Sequence, residues 1–424
     1  MPRLFLWQAA DTKRSKPKGG MPVSSRSQAA FSSFKYRNFR LLWFGLVFSN
    51  VGSWVQAVAQ GWLIHDITGR YLDLGLLGLF RAVPLVTLPL IGGTVADRVD
   101  KRRLLYATQA SSALLALLQA ALTQLGLITP THIWLLAFGA AVASSFDQPT
   151  RQALLPSLVK REHLLNATAL MSVSFTGAAV AGPAAAGLLV PLVGYAAAFY
   201  LNALSFLAVI IAVRLMSLRH QPQPAQKVPI LADLGHGLKF IMHNHTIVTL
   251  AALTCAVGLL VAPYSQMLPG WRQILGIDEA RLGLLTSAPG LGTLVGGFWV
   301  ARYAQRMQKG RLVLYSLGLL LLSLFLFTLM RQYVLAVLVL VPIGGSLAAC
   351  MSLVQTLLQQ NAPDRFRARV MSVYTIGVLG LSPLGALPLG VLSDMVGVFQ
   401  AIRVTVLLTA LVGGLLARRI QGIM

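Results

Sequence analysis

Negative charge is scarce in this 424-residue chain. Asp and Glu together number 12, and all charged residues amount to 11%, where a soluble domain carries about 25%. That shortage excludes a solvated globular surface, and it equally excludes the polar, charge-rich composition of a disordered chain. Cysteine is nearly missing. Cys255 and Cys350 both lie inside apolar runs, so neither a disulfide framework nor a metal-ligand spacing can be read from them. The chain has no HExxH, no GxxxxGK followed by Ser or Thr, and no nucleophile–base arrangement. An enzyme is therefore not indicated, ATP-driven pumping in cis is excluded, and no cofactor or metal is expected.

What the chain does have is apolar length, with 56% of its residues hydrophobic. A helix crosses the ~30 Å hydrocarbon core of a bilayer in about 20 apolar residues. Twelve such stretches are predicted. The first six are 41–66, 73–95, 104–126, 132–150, 168–191 and 195–216; the second six are 247–270, 282–301, 312–330, 333–358, 371–393 and 398–418. Barrel strands would be shorter and would alternate polar with apolar residues. The expected fold is an all-α polytopic membrane protein with twelve transmembrane helices.

Composition shifts divide this length. Residues 1–35 form a basic tail rich in Ser, Gly and Pro, expected to be disordered; Leu4–Trp7 is too short for a secretory signal, and Met21 is a second candidate start. A first bundle is expected over 36–216 and a second over 246–424. Between them, the Pro-rich linker at 217–245 leads into Leu231, Leu234, Leu238 and Ile241, spaced for a helix along the membrane surface.

The positive charge has a simple explanation. If the N-terminus is cytoplasmic, 29 of the 35 Lys and Arg residues fall in cytoplasmic segments. Only Arg70, Arg272, Arg281, Arg331 and Arg403 fall outside, with Arg81 inside a span. The positive-inside rule then puts both termini in the cytoplasm of a multi-pass cell-membrane protein, and nucleic acid is not needed to explain a net charge of +23.

The halves also resemble each other. MSVSFTGAAVAGP from Met171 and MSVYTIGVLGLSP from Met371 share Met, Ser, Val, Gly and Pro at the same places, in the fifth and eleventh stretches. Parallel repeats of this kind predict two pseudo-symmetric six-helix bundles with a cavity between them near the midplane.

Between the second and third stretches stands GGTVADRVDKRR, containing Gly93, Asp97, Arg98, Arg102 and Arg103. Gly93 lets two helices approach closely, and Asp97 beside several cations can hold a charge-assisted bond that breaks when helices part. This string resembles the cytoplasmic signature loop of the major facilitator superfamily, with the usual glycine after Asp-Arg replaced. The second-half counterpart keeps Gly297 and Arg302 but lacks the Asp, which implies a weaker lock there. YRNFRLLWFGLVFSNVGSW, WLIHDITG, FDQPTRQALLPSLV and YLNALSFLAV further resemble the branch of that superfamily containing enterobactin exporters and transmembrane secretion effectors. The resemblance implies the superfamily's fold and an exporter of small amphipathic molecules, siderophores or drugs, driven by the proton gradient.

Candidate site residues follow from the cost of polar groups in lipid. Arg81 is read as a buried cation facing Asp66 or an anionic substrate, or as an outer-face structural bridge. His65 and Asp66 either carry protons or sit wet at the interface. Asp147 and Arg151 are four apart and can pair on one helical face; the resemblance adds a gate or coupling role. Gly177, Gly182, Pro183 and Gly187 either bend and thin the fifth helix or pack it closely, and they resemble the antiporter motif of proton-coupled relatives. The resemblance also places the cavity wall on the first, fourth, seventh and tenth helices. Ser49, Ser53, Gln56 and Gln60 share one face of the first; Tyr264 and Gln266 on the seventh, with Ser346 and Gln355 on the tenth, complete a polar, mostly uncharged lining.

The expected function is secondary active export of small amphipathic organic molecules by alternating access, as proton antiport, in a monomer embedded in the bilayer. An importer and a non-transporting membrane sensor or scaffold are the alternatives.

Overall fold

A computed structural model of the chain describes residues 31–88, 95, 99–217, 242–303 and 307–421. Among the described residues there is no strand. In the first half the helices are α1 (Arg37–Thr68), α2 (Tyr71–Thr87), α3 (Lys101–Gln124) and α4 (Pro130–Leu158), followed by Leu164–Leu215. This last run is broken at Gly194, whose φ of 80° and ψ of 171° no helix accommodates, and a positive φ costs glycine least. Its two limbs are α5 (164–193) and α6 (195–215). The second half contains α7 (His245–Leu275), α8 (Glu279–Tyr303), α9 (Lys309–Phe327), α10 (Tyr333–Asn361), α11 (364–396) and α12 (Val398–Gln421).

Local chemistry sets the ends of these helices. Gly69, at φ 66°, closes α1 by returning its N–H to the His65 carbonyl. Asp100 accepts the Arg103 N–H and opens α3, while Thr129 with Pro130 opens α4.

By length and apolar composition, nine helical runs among the described residues can cross a membrane, where twelve stretches were expected. One of the nine, Arg161–Leu215, contains both α5 and α6. Neither α2, a helix of 17 residues, nor α4, diluted by a polar stretch that includes Asp147 and Arg151, is among them.

The described chain also starts before the expected boundary at 36. Ser32–Lys35 forms a 3-10 turn pinned by Ser33, whose N–H reaches the Asn166 side chain at 3.0 Å and whose hydroxyl donates to the His163 carbonyl. These partly buried hydrogen bonds tie the last residues of the expected tail to the start of α5. Residues 1–30 of the tail, the linker from 218 to 241, and with it the expected surface helix at Leu231–Ile241, lie outside the described residues.

Helices α1–α6 pack on one another, as do α7–α12, and the two groups meet chiefly along two seams, α2 against α11 and α5 against α8. The seams repeat the same contact. A Cβ on Gly283 of α8 would lie 2.8 Å from the Pro183 carbonyl oxygen, and one on Gly78 of α2 would lie 3.1 Å from that of Pro383. Pro183 and Pro383 are the matched prolines of the sequence repeat, so equivalent helices meet their partners at equivalent positions. The repeated glycines diverge. A Cβ on Gly377 would lie 2.8 Å from Thr254, whereas one on Gly177 would meet nothing within 4 Å among the described residues. Two π segments, Val257–Val261 in α7 and Ile376–Gly380 in α11, cross at Gly258 and Gly377.

The two seams differ in where their glycines find partners. The α2–α11 contact extends from Tyr71 and Asp394 to Val86 and Gly380. Along α5 and α8, glycine contacts run from Gly187 and Gly283 to Val180 and Gly290, whereas a Cβ on Gly177 or Gly297 would meet nothing within 4 Å among the described residues. The described glycine contacts of this seam therefore stop short of the end carrying Lys101, Arg103, Lys309 and Arg418, called here the basic end, while both bundles are joined at the opposite end.

Candidate functional site

The opposite end is closed by side chains contributed by both bundles. Asp66, at the last turn of α1, receives Arg272 Nη1 of α7 at 3.0 and 3.1 Å on its two oxygens and the Tyr195 hydroxyl of α6 at 2.5 Å. The other guanidinium nitrogen, Nη2, lies 2.5 Å from Glu279 of α8. Nearby, Asp394 at the end of α11 accepts the backbone N–H groups of Tyr71 and Leu72, each at 2.8 Å. A carboxylate across the first free N–H groups of a helix offsets the positive end of its dipole. His65 is buried under this closure, with its ring 5.1 Å from that of Tyr71 and neither ring nitrogen hydrogen-bonded among the described residues.

This geometry corrects the expected Arg81–Asp66 pair. Asp66 is taken by Arg272 and Tyr195, and Arg81 lies deeper, donating to the Gln60 side chain and, at 3.5 Å, to the Ala57 carbonyl. Arg81 heads a chain of buried amides. Gln60 and Gln56 donate to the Gln119 oxygen of α3 at 2.6 and 3.0 Å, and Asn202 of α6 donates to Gln56 at 2.5 Å. The chain ties α2, α1, α3 and α6 together through the first bundle, where each unsatisfied amide would be costly. Arg81 forms no ion pair with a carboxylate among the described residues, so its charge is held by neutral dipoles.

A second polar cluster lies toward the basic end of the first bundle. Asp147 pairs with Arg151 at 2.5 Å, as their spacing on α4 predicts, and also accepts from Thr108 at 3.1 Å and Gln109 at 2.7 Å on α3. Close by, Arg102 donates to the Arg214 carbonyl at 3.0 Å and Lys101 to that of Ala153 at 3.2 Å, fastening α3 to α6 and α4. Arg103 contributes its backbone N–H to Asp100. Gly93, Asp97 and Arg98 of the signature string lie outside the described residues.

Several expected lining residues are enclosed by packing instead. Ser49, Tyr264 and Ser346 are buried, and the Ser346 hydroxyl is satisfied by the Pro342 and Ile343 carbonyls of its own helix. Gln56 and Gln60 point into the amide chain rather than open space. Of the eight, Ser53, Gln266 and Gln355 are partly exposed, and Gln266 reaches the Ser382 carbonyl at 3.4 Å across the α2–α11 seam region. In the fifth helix, Gly182 lies against Trp54, and Gly187 against Gly283. Backbone angles stay helical through Gly182 and Pro183 and break at Gly194; Gly182 and Gly187 are closely packed, whereas a Cβ on Gly177 would meet nothing within 4 Å among the described residues.

Sequence reasoning passed over Gln119, Tyr195, Asn202, Arg272, Glu279 and Asp394. Asp394 carried a usable signal, as a carboxylate near the end of an apolar stretch. Gln119 and Asn202 carried one too, as amides among apolar neighbours.

A family profile described as transmembrane secretion effector matches residues 28–421. Among curated proteins, the chain is 25% identical over 393 residues to the multidrug efflux pump Tap of Mycolicibacterium fortuitum, covering 89% of this chain and 95% of that protein. It is 26% identical over 366 residues to the enterobactin exporter EntS of Escherichia coli O1:K1 / APEC, covering 84% and 85%. Among solved structures, a bacterial homologue of the human lysosomal transporter Spinster, crystallised inward-facing and unoccupied, superimposes with a TM-score of 0.72 at 13% identity, covering 91% of this chain and 98% of that one.

Proposed function

Because the chain belongs to the transmembrane secretion effector family of major facilitator transporters, integral membrane proteins rather than enzymes, we propose that it exports small amphipathic organic molecules by alternating access, with protons moving inward in exchange. The observation that carries this reading is the closure of one end by side chains of both bundles. Asp66, Arg272, Glu279 and Asp394 join the bundles at that end, while toward the other a Cβ on Gly177 of α5 or Gly297 of α8 would meet nothing within 4 Å among the described residues. Under the positive-inside assignment the closed end is the outer one, so in this reading the state is the one that receives cargo from the cell interior. Efflux also fits the names of the relatives, a multidrug pump and a siderophore exporter.

In this scheme Arg81 is the cation that orients the polar end of the cargo. It stands half-buried at the head of a neutral amide chain, and an anionic group arriving there meets a charge with no carboxylate partner. His65 and Asp66 are the proton-coupling groups. Protonation of Asp66 removes the charge that holds Arg272, and protonation of His65 places a cation beneath Tyr71; both changes loosen the closed end. The Asp147–Arg151 pair and the signature residues Gly93, Asp97 and Arg98 act at the cytoplasmic gate. The carrier works as a monomer with its termini in the cytoplasm.

Everted membrane vesicles test the whole scheme. An amphipathic anionic dye or a catecholate siderophore should accumulate inside when the lumen is acidified, and a protonophore should stop it. Accumulation untouched by the protonophore overturns proton antiport, and transport in the opposite sense makes the protein an importer.

A further inference from the structure

We infer that the first bundle holds an anionic phospholipid, with one acyl chain lying in a furrow between α1 and α6 and the phosphate at Arg40. Two adjoining grooves of about 520 and 350 Å³ share Phe48 and Ala208 and so form one furrow, lined only by residues of the first half. It begins at Arg40, an exposed cation at the basic end, and continues past Phe44 and Phe48 to Val55. At 1.5 Å per residue that stretch of α1 is about 22 Å long, more than half of a ~30 Å hydrocarbon core. A chain from the leaflet at the basic end fits this length.

The furrow has a definite shape. Small residues, Gly45, Gly52, Ala208 and Ala212, form its floor, and the rings of Phe44 and Phe48, 52% and 63% exposed, form one wall. Its deep end meets Asn202 and Ser205, so a chain seated there would rest against the outer side of the buried amide chain. Charge complementarity selects the headgroup. Arg37 and Arg214 are exposed at the same end as Arg40, and each basic residue near an anionic surface contributes about 1 kcal/mol to binding. A zwitterionic lipid gains little from such a rim.

Native mass spectrometry of the purified protein in a neutral detergent tests this, using dioleoylphosphatidylglycerol and dioleoylphosphatidylcholine as probes. The wild type should retain one phosphatidylglycerol in preference to phosphatidylcholine. Arg40→Gln should lower that preference about fivefold, by the loss of one cation. Ala208→Phe, which fills the junction of the two grooves, should abolish retention of either lipid, and Arg419→Gln, an exposed basic-end control, should change neither. Equal retention by all four proteins means annular lipid only and overturns the proposal. So does loss of preference in Arg40→Gln with full retention in Ala208→Phe, because the chain then lies elsewhere. If both furrow variants keep the lipid yet transport less, the furrow is a path for cargo and the lipid site is rejected. An unchanged melting temperature separates loss of the site from loss of the fold.

Discussion

The Asp394 carboxylate lies across the amino end of α2, with one oxygen on the Tyr71 N–H and the other on the Leu72 N–H, both at 2.8 Å. A helix of the second bundle thus caps a helix of the first, and the cap exists only while the two bundles are closed at this end.

Removing that cap should open the closed end. Asp394 is exposed, so water competes for the freed N–H groups, and the two bonds together contribute about 1–2 kcal/mol rather than the full charged-group value. Asp394→Ala is expected to raise the ratio of open to closed molecules about tenfold, and Asp394→Asn about half as far in free energy. Spin labels at Ile67→Cys and Val396→Cys, in a background carrying Cys255→Ala and Cys350→Ala, should show a longer distance population; an unchanged distribution removes Asp394 from the closure.

Arg272→Gln should act in the same direction but more weakly. Its side chain is 32% exposed and that of Asp66 31%, which limits such a pair to about 0–1 kcal/mol and leaves it open to screening. The same spin-label pair should report a smaller shift than for Asp394→Ala, and high salt should abolish the difference from wild type. A shift that persists in high salt would point to a role in packing.

Arg81→Gln should impair anionic cargo about tenfold more than cationic cargo, in line with the loss of one charge-assisted contact in a partly buried site. Vesicle uptake of a matched pair of dyes checks this, and equal loss of both would leave Arg81 without a substrate role. Gln119→Leu addresses the chain behind it. Two buried amide donors, from Gln56 and Gln60, lose their shared acceptor, a cost of about 1–3 kcal/mol each, so the melting temperature should fall even with no cargo present.

For the cluster on α4, breaking the pair should be worse than deleting it. Asp147→Ala leaves the Arg151 cation with most of its surface buried, which costs about 3–5 kcal/mol. The double variant Asp147→Ala, Arg151→Ala removes the stranded charge and should regain part of that loss in thermal unfolding. If the double variant is as unstable as the sum of the singles, the two residues act independently and the ion pair contributes nothing.

The amino-acid sequence by itself determined the class of this protein, because lipid leaves a chain few options: apolar runs of about 20 residues must be helical to satisfy their own backbone. Charge asymmetry and the Met171 and Met371 repeats were likewise legible, and so was the Asp147–Arg151 pair, since four residues on one helix is a local relation. Partners far apart in the chain were not. Asp66 paired with Arg272 instead of Arg81, and Asp394 reached Tyr71 across more than three hundred positions, because those meetings depend on how two bundles dock. Helix packing likewise determined that Ser49, Tyr264 and Ser346 are buried, since helical periodicity tells which residues share a face but not which neighbour covers it. Only the tertiary structure could decide which end is closed, because alternating access requires one sequence to support both arrangements, and the contacts that distinguish them are made between helices rather than along them.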